Sequence, residues 1–576
     1  MTTRASPPLQ DAALRDCVAQ RFAPRYDLTS LLTNVNREHA EEDIDGARLR
    51  TLWRRHAGED QRRSCRCILS CYLHIPFCMQ KCAYCSYYSI PLTRPQWLAS
   101  YLHSMRAQLA FFASAFSSRR FETLYIGGGT PSVLSPRQIE GLFDPLFARY
   151  SFCDAGERAF EFNPDSVDIE KLKTLERFGF NRISMGVQSF RPDVLERENR
   201  GYQTYAAVAD AMSLILGRGR FVLNVDLLVG MQGDDRESFL NTLDAVLALD
   251  PHTVTAYPVK PTKPYLARHY QKQSQFFDAD LVRRYGSMSE AVGSIAHKRG
   301  YRWSPQRLEL QDNNWYFERK PVRRFDYVYD DLAPYPVSVF SLGPTARSRI
   351  AGGLIYHQTG AHDTVFRPQA PIWRGLRLDA RWEMHKFVLR EMMDSHAVSP
   401  ERFQSLFGRE IGAVYPQALR ALRSARRIQE RKDALAIIDP TPRRLFLAAL
   451  YFLGRAELEG MSEVRFSLVT SKGRWQLSLR RLSPVEPCLG RVGNLALVFG
   501  KNRESLITPR VDDRLLRLVV AAFVSSAARQ PNPSAAGVAP YFLGSLRAIL
   551  SRLERTGRLA KGALRLRHAV SRRRTD

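Results

Sequence analysis

The 576-residue chain lacks any apolar run of about 18 residues, so no membrane-spanning helix is expected. Its opening stretch, Met1 to Asp11, has no apolar core of the kind a secretory signal needs, and a cytoplasmic location is the expectation. Lysine is scarce, with 13 residues against 72 arginines, although the formal charge is +27. The arginines are scattered along the chain rather than gathered into one stripe, so no nucleic-acid partner is expected. The nine cysteines lack spread: Cys17, Cys153 and Cys488 stand alone, and the other six crowd between Cys65 and Cys85. A secreted disulfide framework distributes its cysteines through a small chain, so crowding of this kind points to metal instead.

What is present from Ser70 onward is an alternation of short apolar runs with longer amphipathic ones. The candidate strands are Cys71–Ile75, Thr123–Ile126, Ala159–Phe162, Arg182–Val187, Phe221–Val229 and Thr253–Pro258. Helical patterns separate them, which implies parallel pairing with right-handed crossovers. The fold class expected is α/β, a (β/α)6 partial barrel, whose site would lie at the C-terminal ends of the strands. Four segments are expected: an N-terminal extension (1–67), the core barrel and its extension (68–370), a helical module (371–455) and an additional α+β region (456–576). In the last, Arg465–Leu468 and Trp475–Leu479 read as a hairpin, 511–528 as a helix, 529–538 as a linker, and the arginine-rich tail 543–574 as an amphipathic helix.

The string Tyr72-Leu-His74-Ile-Pro-Phe-Cys78-Met-Gln-Lys-Cys82-Ala-Tyr84-Cys85 follows the first strand. Three thiolates spaced C-x3-C-x2-C suit a [4Fe–4S] cluster, which takes soft ligands from a short loop. Three ligands leave one iron open, whereas a structural zinc would want a fourth Cys or His. Cys65, Cys67 and Cys71 form a second thiol set, read as ordinary thiols leading into the strand, with an extra redox site as the alternative.

This spacing resembles the radical S-adenosylmethionine (SAM) superfamily. The longer Tyr-x-His-Ile-Pro-Phe-Cys string is similar to its coproporphyrinogen III dehydrogenase, HemN-like, branch. The similarity continues through Gly127-Gly128-Gly129-Thr130-Pro131, Glu161-Phe-Asn-Pro164, Gly179 to Phe190, Asn199-Arg200, Asn224-Val-Asp226 and Ser341 to Ser348, and spans roughly residues 68–455. That branch also contains haem chaperones of the HemW type and class C methyltransferases and cyclopropanases. The resemblance implies an enzyme that reductively cleaves SAM at a [4Fe–4S] cluster to a 5′-deoxyadenosyl radical, with one SAM bound, or two. A small-molecule substrate, tetrapyrrole-like or another biosynthetic compound, and an electron donor such as flavodoxin or ferredoxin are implied with it. Methyl or methylene transfer using a second SAM, and haem chaperoning without catalysis, are the alternatives.

By this resemblance Cys78, Cys82 and Cys85 are the metal ligands. Tyr72, Gly128, Gly129, Thr130 and Glu161 contact the SAM bound there. Gln188, Arg200, Asp226 and Tyr84 match positions that contact a second one. Their residue types allow plainer readings: a packed strand tyrosine at Tyr72, a tight turn at the glycines, structural ion pairs at Glu161, Arg200 and Asp226. No residue is assigned as catalytic. The chain departs from the dehydrogenase pattern at Ser86-Tyr87, where a further cysteine is usual, at Pro24 to Thr29, and at Gly230-Met-Gln-Gly-Asp234.

Overall fold

The computed structural model describes residues 42–60, 68–260, 262–271, 288–306, 314–319, 337–359, 372–377, 380–431, 433–454, 464–470, 473–481, 490–492, 495–501, 504–505, 513–527 and 565–568, with a few isolated positions besides. The chain forms two compact units. One is Glu41–Phe387 with Ser405–Gly408; the other is Met1–Ala40, Val388–Gln404 and Arg409–Asp576.

In the first unit a helix α1 (Gly46–Asp60) precedes the strand β1 (Ile68–Ile75). Five (β/α) repeats follow: α2 (Pro95–Phe112), β2 (Arg120–Gly128), α3 (Pro136–Arg149), β3 (Ser151–Phe162), α4 (Ile169–Arg177), β4 (Arg182–Gln188), α5 (Pro192–Arg197), α6 (Tyr205–Gly217), β5 (Val222–Val229), α7 (Arg236–Ala248), β6 (Thr253–Pro258) and α8 (Lys263–His269). β1 to β6 pair in parallel in chain order. All six expected strands are present. Val337–Leu342 adds a seventh parallel strand beside β1. Antiparallel strands then extend both sides, giving thirteen in one open sheet among the described residues.

Local chemistry starts these helices. Ser135 caps α3 and forms a capping box with Gln138, with Pro136 in the first turn. Asp168, Thr204 and Asp235 cap α4, α6 and α7 through side-chain acceptors. Most positions of β2, β4 and β5 are buried, as expected of parallel strands covered by helices, and the rest are mainly half-buried. β1 is buried from Leu69 to Ile75 and owes its pairing to the apolar residues Leu69, Leu73 and Ile75.

The segment before β1 is part of this core. Trp53 of α1 is fully buried, with ring centroids 5.2 Å from Phe116 and 5.7 Å from Phe340. Its indole N–H donates to the Tyr356 hydroxyl at 2.7 Å. Trp53→Ala is expected to cost about 3–5 kcal/mol, measured by denaturant unfolding, because it empties a packed aromatic cavity and removes one of the hydrogen bonds to the Tyr356 hydroxyl. A loss below about 1 kcal/mol would mean that α1 is not integral to the unit.

In the second unit, helices Pro400–Phe407 (its last residues in the first unit), Ile411–Val414, Pro416–Ser424 and Pro442–Ala449 accompany a three-stranded sheet of Ala397–Val398, Ala434–Ile437 and Ile428–Arg431. Further on, Val464–Thr470 and Gly473–Arg481 make the expected hairpin, and Asp513–Ala527 the expected helix. The tail departs from expectation in one described stretch, while its described positions 544–546 and 548 are helical as expected. Arg565–His568 is a strand paired antiparallel with Val464–Thr470, not helix. Its alternation of Arg565 and Arg567 with Leu566 and His568 also satisfies a two-residue period, and an unpaired edge was available to it. The expected linker falls almost wholly outside the described residues, as do Cys65 and Cys67. Among the described residues no helix is long and apolar enough to cross a membrane.

Candidate functional site

The C-terminal ends of β1 to β5 carry the candidate residues. After β1 the chain turns through Cys78, where Phe77–Cys78 pairs with Ile90–Pro91. It then runs through a short loop in which the Cys85 N–H donates to the Cys82 carbonyl at 3.2 Å. Burial pushes the Cys78 thiol up, opposed by side-chain hydrogen bonds with Thr130 and Ser89, and pushes Cys85 up to about 11. The three thiols are near enough to act on one another's charge. They do not yet form a closed cage: among the described residues no group of three Cys, His, Asp or Glu stands ready to hold a metal ion. The donor set nonetheless fits an iron–sulfur cluster, being three soft sulfurs on one loop beside the cations of Lys81 and Arg200. Since thiolates are the ligands, loading would release the thiol protons.

The glycine turn at the end of β2 is bonded to the cysteine loop. The Gly129 N–H donates to Ile75 O at 2.8 Å and Thr130 N–H to Phe77 O at 2.7 Å. Gly128 has φ +121, open only to glycine, and a Cβ there would stand 2.8 Å from the His74 ring. His74 is not placed as a ligand. Its Nδ1 accepts from the Tyr72 hydroxyl at 3.0 Å and its Nε2 donates to Tyr88 O at 3.0 Å. Burial holds its pKa down to about 4, so the ring is neutral and fixes the far end of the loop.

Glu161 ends β3 next to this turn. Its Oε1 accepts from the Tyr125 hydroxyl at 2.7 Å and its Oε2 from the Gly128 N–H at 3.1 Å. Burial, with the Asp226 charge as a smaller contributor, raises its pKa to about 7. Asp226 on β5 accepts from Ser184 at 2.8 Å and Asn224 at 2.8 Å, and burial raises its pKa too. A carboxylate so raised favours folding most when protonated: that contribution is full below about pH 4.5 and is lost as pH rises through about 7. Glu161→Gln is therefore expected to be more stable than the parent near pH 8, by about 2 kcal/mol in thermal unfolding, with the difference gone near pH 4. Equal stability at both pH values would contradict a buried, raised carboxyl.

Gln188 closes β4 at a bulge with φ 71, a strained position for a non-glycine residue. Arg200 follows α5 and is buried, with its side chain directed at Cys82, Asn163 and Gly186. Tyr84 packs against the Cys82 thiol and near Arg200. The structure thus draws Cys78, Cys82, Cys85, Tyr84, Thr130 and Arg200 into one group, and Tyr72, Glu161 and Asp226 into an adjoining one, with Gly128 between them. Cys71 is fully buried in the core and its thiol is pushed far up by burial, so it packs as expected. Sequence reasoning missed Tyr125, Ser184 and Asn224, which hold the two carboxylates; their polar side chains on core strands were the available signal. Chemically, one end offers soft sulfur and the other two half-buried carboxylates suited to an ammonium or hydroxyl.

Comparison with known proteins follows the same lines. A family model described as the radical SAM superfamily matches residues 72–246. The heme chaperone HemW of Escherichia coli (strain K12) is 34% identical over 189 residues, 33% of this chain and 50% of that protein. The chain thus spans about half the length of the curated heme chaperones it matches. The oxygen-independent coproporphyrinogen III oxidase of Salmonella typhimurium is 33% identical over 372 residues, 61% of this chain and 79% of that one. The solved structure of coproporphyrinogen III oxidase (HemN) from Escherichia coli, described as a radical SAM enzyme, superposes with a TM-score of 0.56 at 21% identity, covering 71% of this chain and 93% of that one, a likeness of fold.

Proposed function

Because the chain belongs to the radical SAM superfamily, in its coproporphyrinogen III oxidase-like branch, we propose that it is an enzyme that cleaves SAM reductively and acts on a tetrapyrrole-like or other biosynthetic small molecule. The observation that carries this reading is the cysteine loop bonded directly to the glycine turn, with Glu161 on that turn's own amide. Cys78, Cys82 and Cys85 would hold a [4Fe–4S] cluster, which would supply the electron for reductive cleavage of SAM. Around it the chain's residues bind and shield. The Gly128 to Thr130 backbone allows close approach of a ligand's polar end, and Glu161 accepts from its ammonium or hydroxyl. Tyr72, stacked on Tyr125 with centroids 6.0 Å apart, walls the site. Asp226 adds a second acceptor deeper in the sheet. The electron would come from an external donor such as flavodoxin or ferredoxin.

Anaerobic reconstitution with iron, sulfide, SAM and dithionite tests this reading. 5′-Deoxyadenosine should form; a loaded cluster without any product would overturn it. The second reading, a haem chaperone, is favoured by the similarity to heme chaperones. Stoichiometric haem binding with no SAM turnover would decide for it.

A further inference from the structure

Three consecutive residues after α5 hold the cysteine loop. The Glu198 carbonyl accepts from the Ala83 N–H at 3.0 Å, the Asn199 side-chain amide donates to the Lys81 carbonyl at 3.4 Å, and Arg200 Nη1 donates to the Cys82 sulfur at 3.6 Å. Asn199 adopts φ 55 to make this possible, a left-handed conformation that asparagine tolerates better than most residues. The rest of the Arg200 guanidinium is already engaged. Its Nε donates to Gln203 Oε1 at 2.9 Å, and its Nη2 donates to Asn163 Oδ1 at 3.4 Å and to the Gly186 carbonyl. Of five N–H donors, four are taken by the protein itself, which fixes the guanidinium in place. The side chain is 2% exposed, so its charge acts through a poorly screened medium.

We propose that Arg200 is a positioning residue whose fixed guanidinium donates to the Cys82 ligand sulfur and thereby raises the reduction potential of the bound cluster. This rests on the cluster assignment above. The step concerned is the gain of one electron by the cluster from an external donor, with no bond made or broken and no proton moved. A cation and an N–H donor at a ligand sulfur stabilise the more negative, reduced form, so their loss moves the potential down.

The test uses the reconstituted full chain without SAM, titrated with dithionite and followed by the electron paramagnetic resonance of the reduced cluster. Arg200→Gln should lower the midpoint by about 60 mV or more, a tenfold loss in the reduced-to-oxidised ratio at fixed donor potential. Arg200→Lys, which keeps the charge without the fork, should shift it less. Should the variants not fold, the parent protein labelled with ¹⁵N-arginine decides: pulsed resonance of the reduced cluster should show a weak arginine nitrogen coupling. An unchanged midpoint in Arg200→Gln, or no arginine coupling in the loaded parent, would overturn the inference. Failure of the parent to load a cluster would instead refute the cysteine assignment.

Discussion

Cys82→Ala is expected to leave the protein folded but unable to hold its cluster. Cys82 sits half-buried on a loop, outside the hydrophobic core, so its removal opens no core cavity. The cost to folding should stay near 1 kcal/mol, since Arg200 loses only one of its several acceptors. The cost to metal loading is of another order. Loss of an outer-shell partner already costs roughly 10–100-fold in metal affinity, and this change removes a ligand outright. Iron and sulfide per chain should fall to background after anaerobic reconstitution, 5′-deoxyadenosine should vanish with them, and the thermal unfolding midpoint should barely move. Parental iron and sulfide content in the variant would remove Cys82 from the ligand set.

Gly129→Ala carries the largest expected structural effect at the site. Gly129 needs no unusual φ; its constraint is space. An added Cβ would lie 2.7 Å from the Phe77 carbonyl oxygen and 2.9 Å from that residue's nitrogen, which are backbone atoms that cannot rotate away. The turn is also tied there by its own N–H to Ile75 O and by Thr130 N–H to Phe77 O. Relief therefore requires moving the start of the cysteine loop, including Cys78, at an expected cost of about 2–4 kcal/mol. Thermal unfolding measures that cost, and the cluster content of the same preparation should fall. Gly217→Ala is the control. Its Cβ would meet nothing within 4 Å at the end of α6, and alanine favours helix, so stability should stay level or rise slightly. Equal behaviour of the two variants would show that the Gly129 contact is not tight.

The elements that were legible in the sequence are those whose signal is local. β1 to β6 repeat an apolar run of strand length between amphipathic helices, and the three cysteines lie within eight residues of one another. Arg200 was legible as a residue of interest, yet its partner was not. Cys82 lies 118 positions away, and only the crossover after β4 brings the two together. Tyr125 and Glu161 are 36 positions apart and meet because β2 and β3 are neighbours. Trp53 gave no sign of its place under the sheet, since its partners Phe340 and Tyr356 follow some 300 residues later. The strand Arg565–His568 was not legible, because a short run of alternating arginine with other residues fits either period until a strand edge is at hand.

By itself, then, the sequence determined the donor chemistry and the parallel α/β core: soft thiols at fixed short spacing, a glycine turn, and a strand–helix rhythm are all properties of nearest neighbours along the chain. Tertiary structure decided what each charged side chain is for. It desolvated Glu161, which raises its carboxyl to about 7 against the opposing hydrogen bonds of a backbone amide and a phenol, and it directed Arg200 at a sulfur rather than at open space. Those outcomes depend on burial and on partners far away in sequence, because the strength of a charge interaction is set by its surroundings and not by the residue that bears it.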